Sequence, residues 1–333
     1  MSLTRPLILV IGCGSIGERH LRTFLATGRA ELIACDNRPE IRAQMTSRYQ
    51  VTTVDSWQEG LADARIDAVV IATPAPLHVD MALQCLRAGK HVLIEKPLST
   101  TCDGIEELIA TRNRSGKFVG VGYVLHFVPA LQAARRWLGS GAFGSVRQVT
   151  VTSAHHFPTS RPAYREIYYR DRAQGGGAIQ DALTHLVNVV EWMLGRPTSQ
   201  VFCDADHKVL EGVTVEDTVN ATARNGSVMV SYSLNQFGSA NETRWDFHMD
   251  KGSVRVEMHA QRWGTLALGE SVWTWFPLPI ATRDDMYIAQ AHAFLDGCEG
   301  KDTAVCSLEE GVQTLRFNLA ALQSWETGLR QLL

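Results

Sequence analysis

Leu7-Ile8-Leu9-Val10-Ile11-Gly12-Cys13-Gly14-Ser15-Ile16-Gly17 decides the reading of this chain. Five consecutive apolar residues make a buried strand, and a G-x-G-x-x-G turn follows at once and opens a helical stretch. In that context bare glycines let backbone N–H groups approach a pyrophosphate at the helix N-terminus. Gly12, Gly14, Ser15, Ile16 and Gly17 are therefore the expected dinucleotide-binding turn. Asp36 stands at the end of the next apolar run, 19 residues after Gly17, where a carboxylate can accept hydrogen bonds from the adenosine ribose hydroxyls. Asp36 repels a 2′-phosphate and favours NAD. Asn37 and Arg38 follow, and Arg38 can neutralise such a phosphate, so NAD is the expected cofactor with NADP left open. The run after Arg5 could also be read as a short signal sequence ending in a lipid-modified Cys13, but its charged leader is very short and the strand-and-turn reading fits better.

Outward from this stretch, the first half alternates apolar runs with helical patterns. Strands are expected at 7–11, 31–35, 68–72, 91–94 and 117–122, with helices near 16–27, 39–48, 77–88 and 102–115, the signature of a doubly wound parallel sheet. After Tyr123 the pattern changes to alternating strands at 146–153, 217–224, 227–235, 244–249, 253–258 and 265–268. Asn225-Gly226 and Lys251-Gly252 sit where hairpin turns need positive φ. The chain thus reads as a Rossmann-type α/β domain over 1–124, followed by an α+β domain over 125–333 with an open, mostly antiparallel sheet. Seven of the eight tryptophans lie in this second half, as expected of a broad sheet face that must be covered by helices or a partner subunit.

Composition excludes several classes of function. Thirty-two Lys and Arg against 35 Asp and Glu give a net charge of −3, which provides no large basic surface for a nucleic-acid backbone. The apolar runs are strand-length, far below the roughly 20 residues of a membrane helix. Seven cysteines without a Cys-x-x-Cys pair argue against both a disulfide framework and a thiolate zinc site, and point to a reducing cytoplasm without a bound metal.

Ligands of open α/β sheets bind outside the carboxyl ends of the strands. Thr73-Pro74 with His78 follows the third expected strand, Glu95-Lys96-Pro97 the fourth, and Tyr123 the fifth, with His126 soon after. Thr73, Pro74, His78, Glu95 and Lys96 are expected at the cofactor, and Tyr123 and His126 at the substrate. Lys96 precedes a proline, which restricts it to extended backbone and leaves a cis bond open. In the second half Gly175-Gly176-Gly177 leads into a helix expected over 178–194. On it Asp181 and His185 lie four apart on one face, with Asn188 a turn further on. A carboxylate beside an imidazole fixes its orientation, and histidine titrates near neutral pH, which suits proton exchange with an alcohol. Between the two halves of this pattern runs Arg161-Pro162-Ala163-Tyr164-Arg165-Glu166-Ile167-Tyr168. Arg161, Tyr164, Arg165 and Tyr168 offer planar donors and hydroxyls suited to a polyhydroxylated or carboxylated substrate, or to a subunit contact.

Taken together, the glycine turn, Ala72-Thr73-Pro74 with His78, Ala88-Gly89-Lys90-His91-Val92 through Glu95-Lys96-Pro97, and Gly175-Gly176-Gly177 with Asp181 and His185 resemble the Gfo/Idh/MocA oxidoreductases. These are the relatives of glucose–fructose oxidoreductase and inositol dehydrogenase. The resemblance runs in order along essentially the whole chain, including Ser307-Leu308-Glu309-Glu310-Gly311. It implies NAD(P)-linked oxidation or reduction at a carbinol or carbonyl carbon of a sugar, inositol or sugar acid. Lys96 would orient the substrate hydroxyl, His185 exchange its proton and Asp181 support the histidine. It also implies a homodimer or homotetramer. The chain departs from the family pattern where Leu183 replaces a glycine, Asn188 replaces a second carboxylate, and Tyr123-Val124-Leu125-His126-Phe127 stands where relatives carry Asn and Arg; these positions could contact substrate. Two rivals follow from the same residues: a redox-neutral NAD-dependent glycosidase or lyase, and a dinucleotide sensor without turnover.

Overall fold

A computed structural model describes residues 5–278 and 281–333. They fall into two compact units, one running to Phe127 and including Thr282–Gly311, the other comprising Val128–Ala281 and Val312–Leu333. The segment 282–311, assigned by the sequence reading to the second domain, thus packs with the first. Its helical pattern shows an apolar face, but nothing local names the partner of that face.

In the first unit, strands β1 (Leu7–Ile11), β2 (Glu31–Cys35), β3 (Thr52–Val54), β4 (Ile66–Ile71), β5 (His91–Ile94) and β6 (Val119–Val121) are parallel. The two-residue β15 (Cys306–Ser307) adds antiparallel to β6, giving the order β15-β6-β5-β4-β1-β2-β3. The central strands are apolar along their whole length because both sheet faces are covered. Helices α1 (Ser15–Ala26), α2 (Pro39–Tyr49), α3 (Trp57–Ala62), α4 (His78–Arg87) and α5 (Ile105–Ser115) connect the strands. The order turns back between β1 and β4, so the glycine turn after β1 and the Thr73-Pro74 turn after β4 stand side by side at the switch point, where such sheets bind ligands. β3 and α3 are absent from the sequence reading; Thr52-Thr53-Val54 is too short to show a period.

Helix α9 (Arg283–Cys298) joins this unit. A capping box between Thr282 and Asp285 starts it, and Phe294 packs edge-on against Phe24 of α1, with ring centroids 5.9 Å apart, and against Phe118 at 5.8 Å. Arg22 clamps Asp284 through two hydrogen bonds of 2.8 and 2.7 Å.

The second unit is built on a nine-stranded sheet in the order β14-β13-β12-β11-β7-β10-β9-β8-β16. Its strands are β7 (Val146–His156), β8 (Gln200–Asp206), β9 (Thr218–Asn225), β10 (Val228–Asn235), β11 (Phe237–Met249), β12 (Gly252–Glu257), β13 (Arg262–Ala267), β14 (Thr274–Pro277) and β16 (Gln331–Leu332). Every pairing is antiparallel except β7 with β10. The expected hairpins close at Asn225–Val228 and Met249–Gly252. Val219, Ala221, Val230, Tyr232, Val149, Val151, Trp245 and Phe247 form the buried face. α6 (Pro129–Gly139) lies against β12 and β13, and Tyr232 meets Phe317 of α10 (Leu308–Thr327) edge-on at 5.9 Å. α7 (Phe157–Ser160) is a single turn, and α8 (Thr184–Leu194) carries His185.

Phe294 is fully buried, so Phe294→Ala should cost the first unit about 3–5 kcal/mol. Urea titration followed through dinucleotide affinity measures this. A loss below about 1 kcal/mol would show that α9 is not part of that core.

Candidate active site

The glycine turn is shaped by two close approaches. A Cβ on Gly17 would stand 1.7 Å from the Gly12 carbonyl oxygen, so the first turn of α1 presses directly on the end of β1. Gly14, the N-cap of α1, is different: nothing lies within 4 Å of where its Cβ would be. No protein packing demands a glycine there, whereas close approach of a large anion to the backbone does. The turn therefore fits a dinucleotide pyrophosphate, with Ser15 and Ile16 contributing first-turn N–H groups.

Asp36 closes the neighbouring edge. Its carboxylate accepts the Cys13 N–H on Oδ2 at 2.9 Å and the Arg38 N–H on Oδ1 at 3.0 Å. The Arg38 guanidinium grips the same two oxygens, Nε to Oδ1 and Nη2 to Oδ2, each at 2.9 Å. Burial pushes the Asp36 carboxyl up, but the hydrogen bonds from Arg38 and Cys13 outweigh it and hold it below its usual value. The Cys13 thiol is pushed up to about 12 by burial and by the Asp36 charge, so it stays a neutral filler of the turn.

At the β5 end, Glu95 is 4 % exposed and internally committed. One oxygen faces His20 Nε2 of α1 at 2.6 Å, and the other accepts the Lys96 backbone N–H at 3.0 Å. Burial raises this carboxyl, but the His20 hydrogen bond and charge, with the Lys96 ammonium, bring it below its usual 4.5. The expectation that Glu95 touches the cofactor is corrected: it fixes the backbone that presents Lys96. The Lys96–Pro97 bond is cis, and Lys96 itself keeps partial exposure. His78 is also corrected. It is 1 % exposed, with Nδ1 3.0 Å from the Pro97 carbonyl and Nε2 2.8 Å from the Thr73 carbonyl, so it ties the β4 and β5 ends together. Thr73 and Pro74 stay accessible at the β4 end.

In the second unit the expected continuous helix is interrupted. Residues Ile179–Leu183 form a π turn and α8 begins only at Thr184, so Asp181 sits in the wider turn and His185 in the regular helix. Such bulges are frequent at functional sites. Glu216, which the sequence reading does not single out, anchors the start. It is fully buried, accepts the Ile179 N–H at 3.0 Å, and its carbonyl accepts the Ala178 N–H at 2.9 Å. Gly177 has φ of +87° and a Cβ there would fall 2.5 Å from Glu216 Oε1, so only glycine fits. A charged residue in the run Val213-Thr214-Val215-Glu216-Asp217 is the one sequence signal that could have marked it. Between Ala178 and Met193 only Asp181, Ala182 and His185 escape full burial.

The tyrosine–arginine segment splits. Tyr168 is exposed and its hydroxyl donates to Asp181 Oδ1 at 2.6 Å. Arg161 is partly exposed. Tyr164, by contrast, is 2 % exposed, and both its hydroxyl and Arg165 Nε donate to the Glu211 carbonyl, at 2.7 and 2.8 Å. Tyr164 therefore pins a loop from inside, while Arg165 makes the same contact with its side chain half exposed. His126 is fully buried with Nδ1 3.2 Å from the Ala304 carbonyl, and Tyr123 is 1 % exposed. Leu183 and Asn188 are equally buried, the Asn188 amide donating to Thr314 at 3.1 Å. Of the departures from the family pattern, Asn188 and His126 are thus packing and anchoring positions. Among the described residues no group of three or more His, Cys, Asp or Glu side chains is placed to hold a metal ion.

Residues 7–123 match the oxidoreductase family domain described as an NAD-binding Rossmann fold, and residues 131–255 match the Gfo/Idh/MocA C-terminal domain. The chain belongs to the Gfo/Idh/MocA oxidoreductase family. It is 29 % identical to a 1,5-anhydro-D-fructose reductase of Ensifer adhaerens over 83 % of this chain and 82 % of that protein. It is 27 % identical to an inositol 2-dehydrogenase of Rhizobium meliloti (strain 1021) over 95 % of both. The fold matches a levoglucosan dehydrogenase solved with NADH and levoglucosan, with a TM-score of 0.87 at 20 % identity over 99 % of both chains. As a Gfo/Idh/MocA protein it is an NAD-dependent oxidoreductase, with the Rossmann unit as its cofactor domain.

Glu95→Gln should lower the stability of the first unit by about 3–5 kcal/mol, since it leaves His20 facing an uncharged partner in the core. The folded carboxyl lies below 4.5, so the wild-type advantage should be complete above about pH 4.5 and fade as pH falls through the depressed folded value. Denaturant midpoints of both proteins across that range measure it; an advantage independent of pH would refute the assignment.

Proposed function

We propose that this oxidoreductase acts at a carbinol or carbonyl carbon of a sugar, inositol or sugar acid. The bound nicotinamide supplies the hydride chemistry; the chain binds, orients and moves the proton. Lys96, held by the committed Glu95 backbone clamp, orients the substrate hydroxyl. His185 takes or returns its proton and Asp181 supports the histidine. Gly12, Gly14, Ser15, Ile16, Gly17, Asp36, Asn37, Arg38, Thr73 and Pro74 hold the cofactor, and Arg161 and Tyr168 contact polar groups of the substrate. The observation that carries this reading is the helix on which Asp181 and His185 keep exposure while their neighbours, Ala182 apart, are buried. Both titratable groups thus leave an otherwise buried helix on the side where a substrate can reach them. The relatives named for inositol and anhydrofructose support a polyhydroxylated substrate.

The outward face of the nine-stranded sheet carries Phe202 at 39 % and Met229 at 50 % exposure. A second copy of the chain covering that face, as homodimer or homotetramer, completes the proposal. No described helix is long and apolar enough to cross a membrane, and the free cysteine thiols suit a cytoplasmic location.

His185→Ala should lower turnover about 10²- to 10⁴-fold while leaving NADH affinity unchanged. Absorbance at 340 nm over a panel of inositols, aldoses and sugar acids, with NADH titration alongside, measures both; full turnover in the variant removes His185 from proton transfer.

A further inference from the structure

Tyr168–Arg170 and Arg172–Gln174 are two short 3-10 turns with Asp171 between them. Arg170, Asp171 and Arg172, with Thr214 and Val215 of the stretch before β9, line an open cleft of about 530 Å³. That is within the range of roughly 300–1,000 Å³ common to small-molecule sites. The function proposed above uses none of these five residues.

The cleft is held from behind. Val215 is buried in an aromatic cluster with Phe157, Tyr164 and Tyr169. The Arg172 guanidinium lies 4.6 Å above the Trp325 ring and reaches Glu216 at 3.6 Å and Glu326 at 3.3 Å, so the protein itself sets its position. Backbone hydrogen bonds tie the same wall to the helix of the candidate site. The Tyr169 carbonyl accepts the Gly177 N–H at 3.2 Å, the Gly177 carbonyl accepts the Asp181 N–H at 3.0 Å, and the Asp171 carbonyl accepts the Gly176 N–H at 2.9 Å. Tyr168, whose hydroxyl donates to Asp181, precedes Arg170 by two residues, roughly 4 Å of a 3-10 turn.

Charge decides what such a cleft takes. The guanidiniums of Arg170 and Arg172 stand against three carboxyl groups, those of Asp171, Glu216 and Glu326, so no excess of positive charge is left for a phosphate or a carboxylate. A sugar ring is uncharged, and each of its hydroxyls both donates and accepts. The lining matches that demand. Arg170 makes one long hydrogen bond to the Arg165 carbonyl, at 3.5 Å, and keeps its other N–H groups. Asp171 commits one oxygen to the Ala173 N–H at 2.9 Å and keeps the other, and Thr214 adds a hydroxyl. All three side chains are exposed.

We propose that this cleft is a second sugar subsite, so that the substrate carries an uncharged, polyhydroxylated ring beyond the one that reacts at His185. Arg170 donates to that ring's hydroxyls, Asp171 accepts from them, and Val215 meets its C–H face. The inference rests on the function proposed above and names the size and charge of its substrate.

The test compares one-ring and two-ring compounds with NAD by absorbance at 340 nm, in the wild type and in Arg170→Ala. Glucose is set against maltose and cellobiose, galactose against lactose, and myo-inositol against galactinol. In the wild type at least one two-ring compound should have a kcat/KM about tenfold or more above that of its one-ring partner, mainly through a lower KM. In Arg170→Ala that ratio should fall about tenfold, the loss expected for a hydrogen bond from a charged donor. Each ratio is taken within one protein sample, so partial misfolding of the variant does not imitate the change. Equal kcat/KM for one and two rings throughout the panel, or a ratio that Arg170→Ala leaves unchanged, overturns the subsite and leaves the oxidoreductase reading intact. No reduction of NAD by any compound of the panel overturns the proposed function and the subsite together.

Discussion

A single buried carboxylate holds the cofactor unit in working order. Glu95 reaches His20 on α1 with one oxygen and the Lys96 backbone with the other. A Cβ on Gly122, just past β6, would lie 2.8 Å from it, and the His20 ring packs edge-on against Tyr287 of α9 at 5.4 Å. Two helices and two strand ends thus meet around one charge. Removing a charge from water is costly, and the cost is offset only while each partner stays in place. That condition fixes the backbone at Lys96, at the end of β5.

The second unit also sets a buried acidic side chain behind its exposed residues, but there burial outweighs the partners and raises the Glu216 carboxyl. Glu216, buried without exposure, receives the first free N–H groups of the helix that carries Asp181 and His185, and Arg172 stands 3.6 Å from its other oxygen. The π turn then widens the helix where Asp181 leaves it, and Tyr168 holds that carboxylate from outside. In both units the residues that would do chemistry are partly exposed, and the residues that aim them are buried carboxylates.

The features legible in the sequence are those with local rules. A strand followed by G-x-G-x-x-G, an acid at the next strand end, Lys before Pro, and Asp and His four apart all state their geometry within a few residues. The illegible features depend on direction. Tyr164, Arg165 and Tyr168 lie in an irregular segment with no period, so composition gave their chemistry but not that Tyr164 points inward to the Glu211 carbonyl and Tyr168 outward to Asp181. His78, Glu95 and His126 follow strand ends, where ligand contact and structural anchoring call for the same polar residues. The return of 282–311 to the first unit is set by ring packing between Phe24 and Phe294, a contact between distant parts of the chain.

The central claim is direct hydride transfer between a polyhydroxylated substrate and nicotinamide. Incubating the protein with NAD and a panel of carbon-deuterated inositols and pyranoses, then weighing the reduced dinucleotide by mass spectrometry, tests it most directly. The account predicts reduced cofactor one deuterium heavier with at least one substrate of the panel. Substrate converted with no labelled reduced cofactor accumulating, or NAD bound with no transfer from any of them, would contradict it.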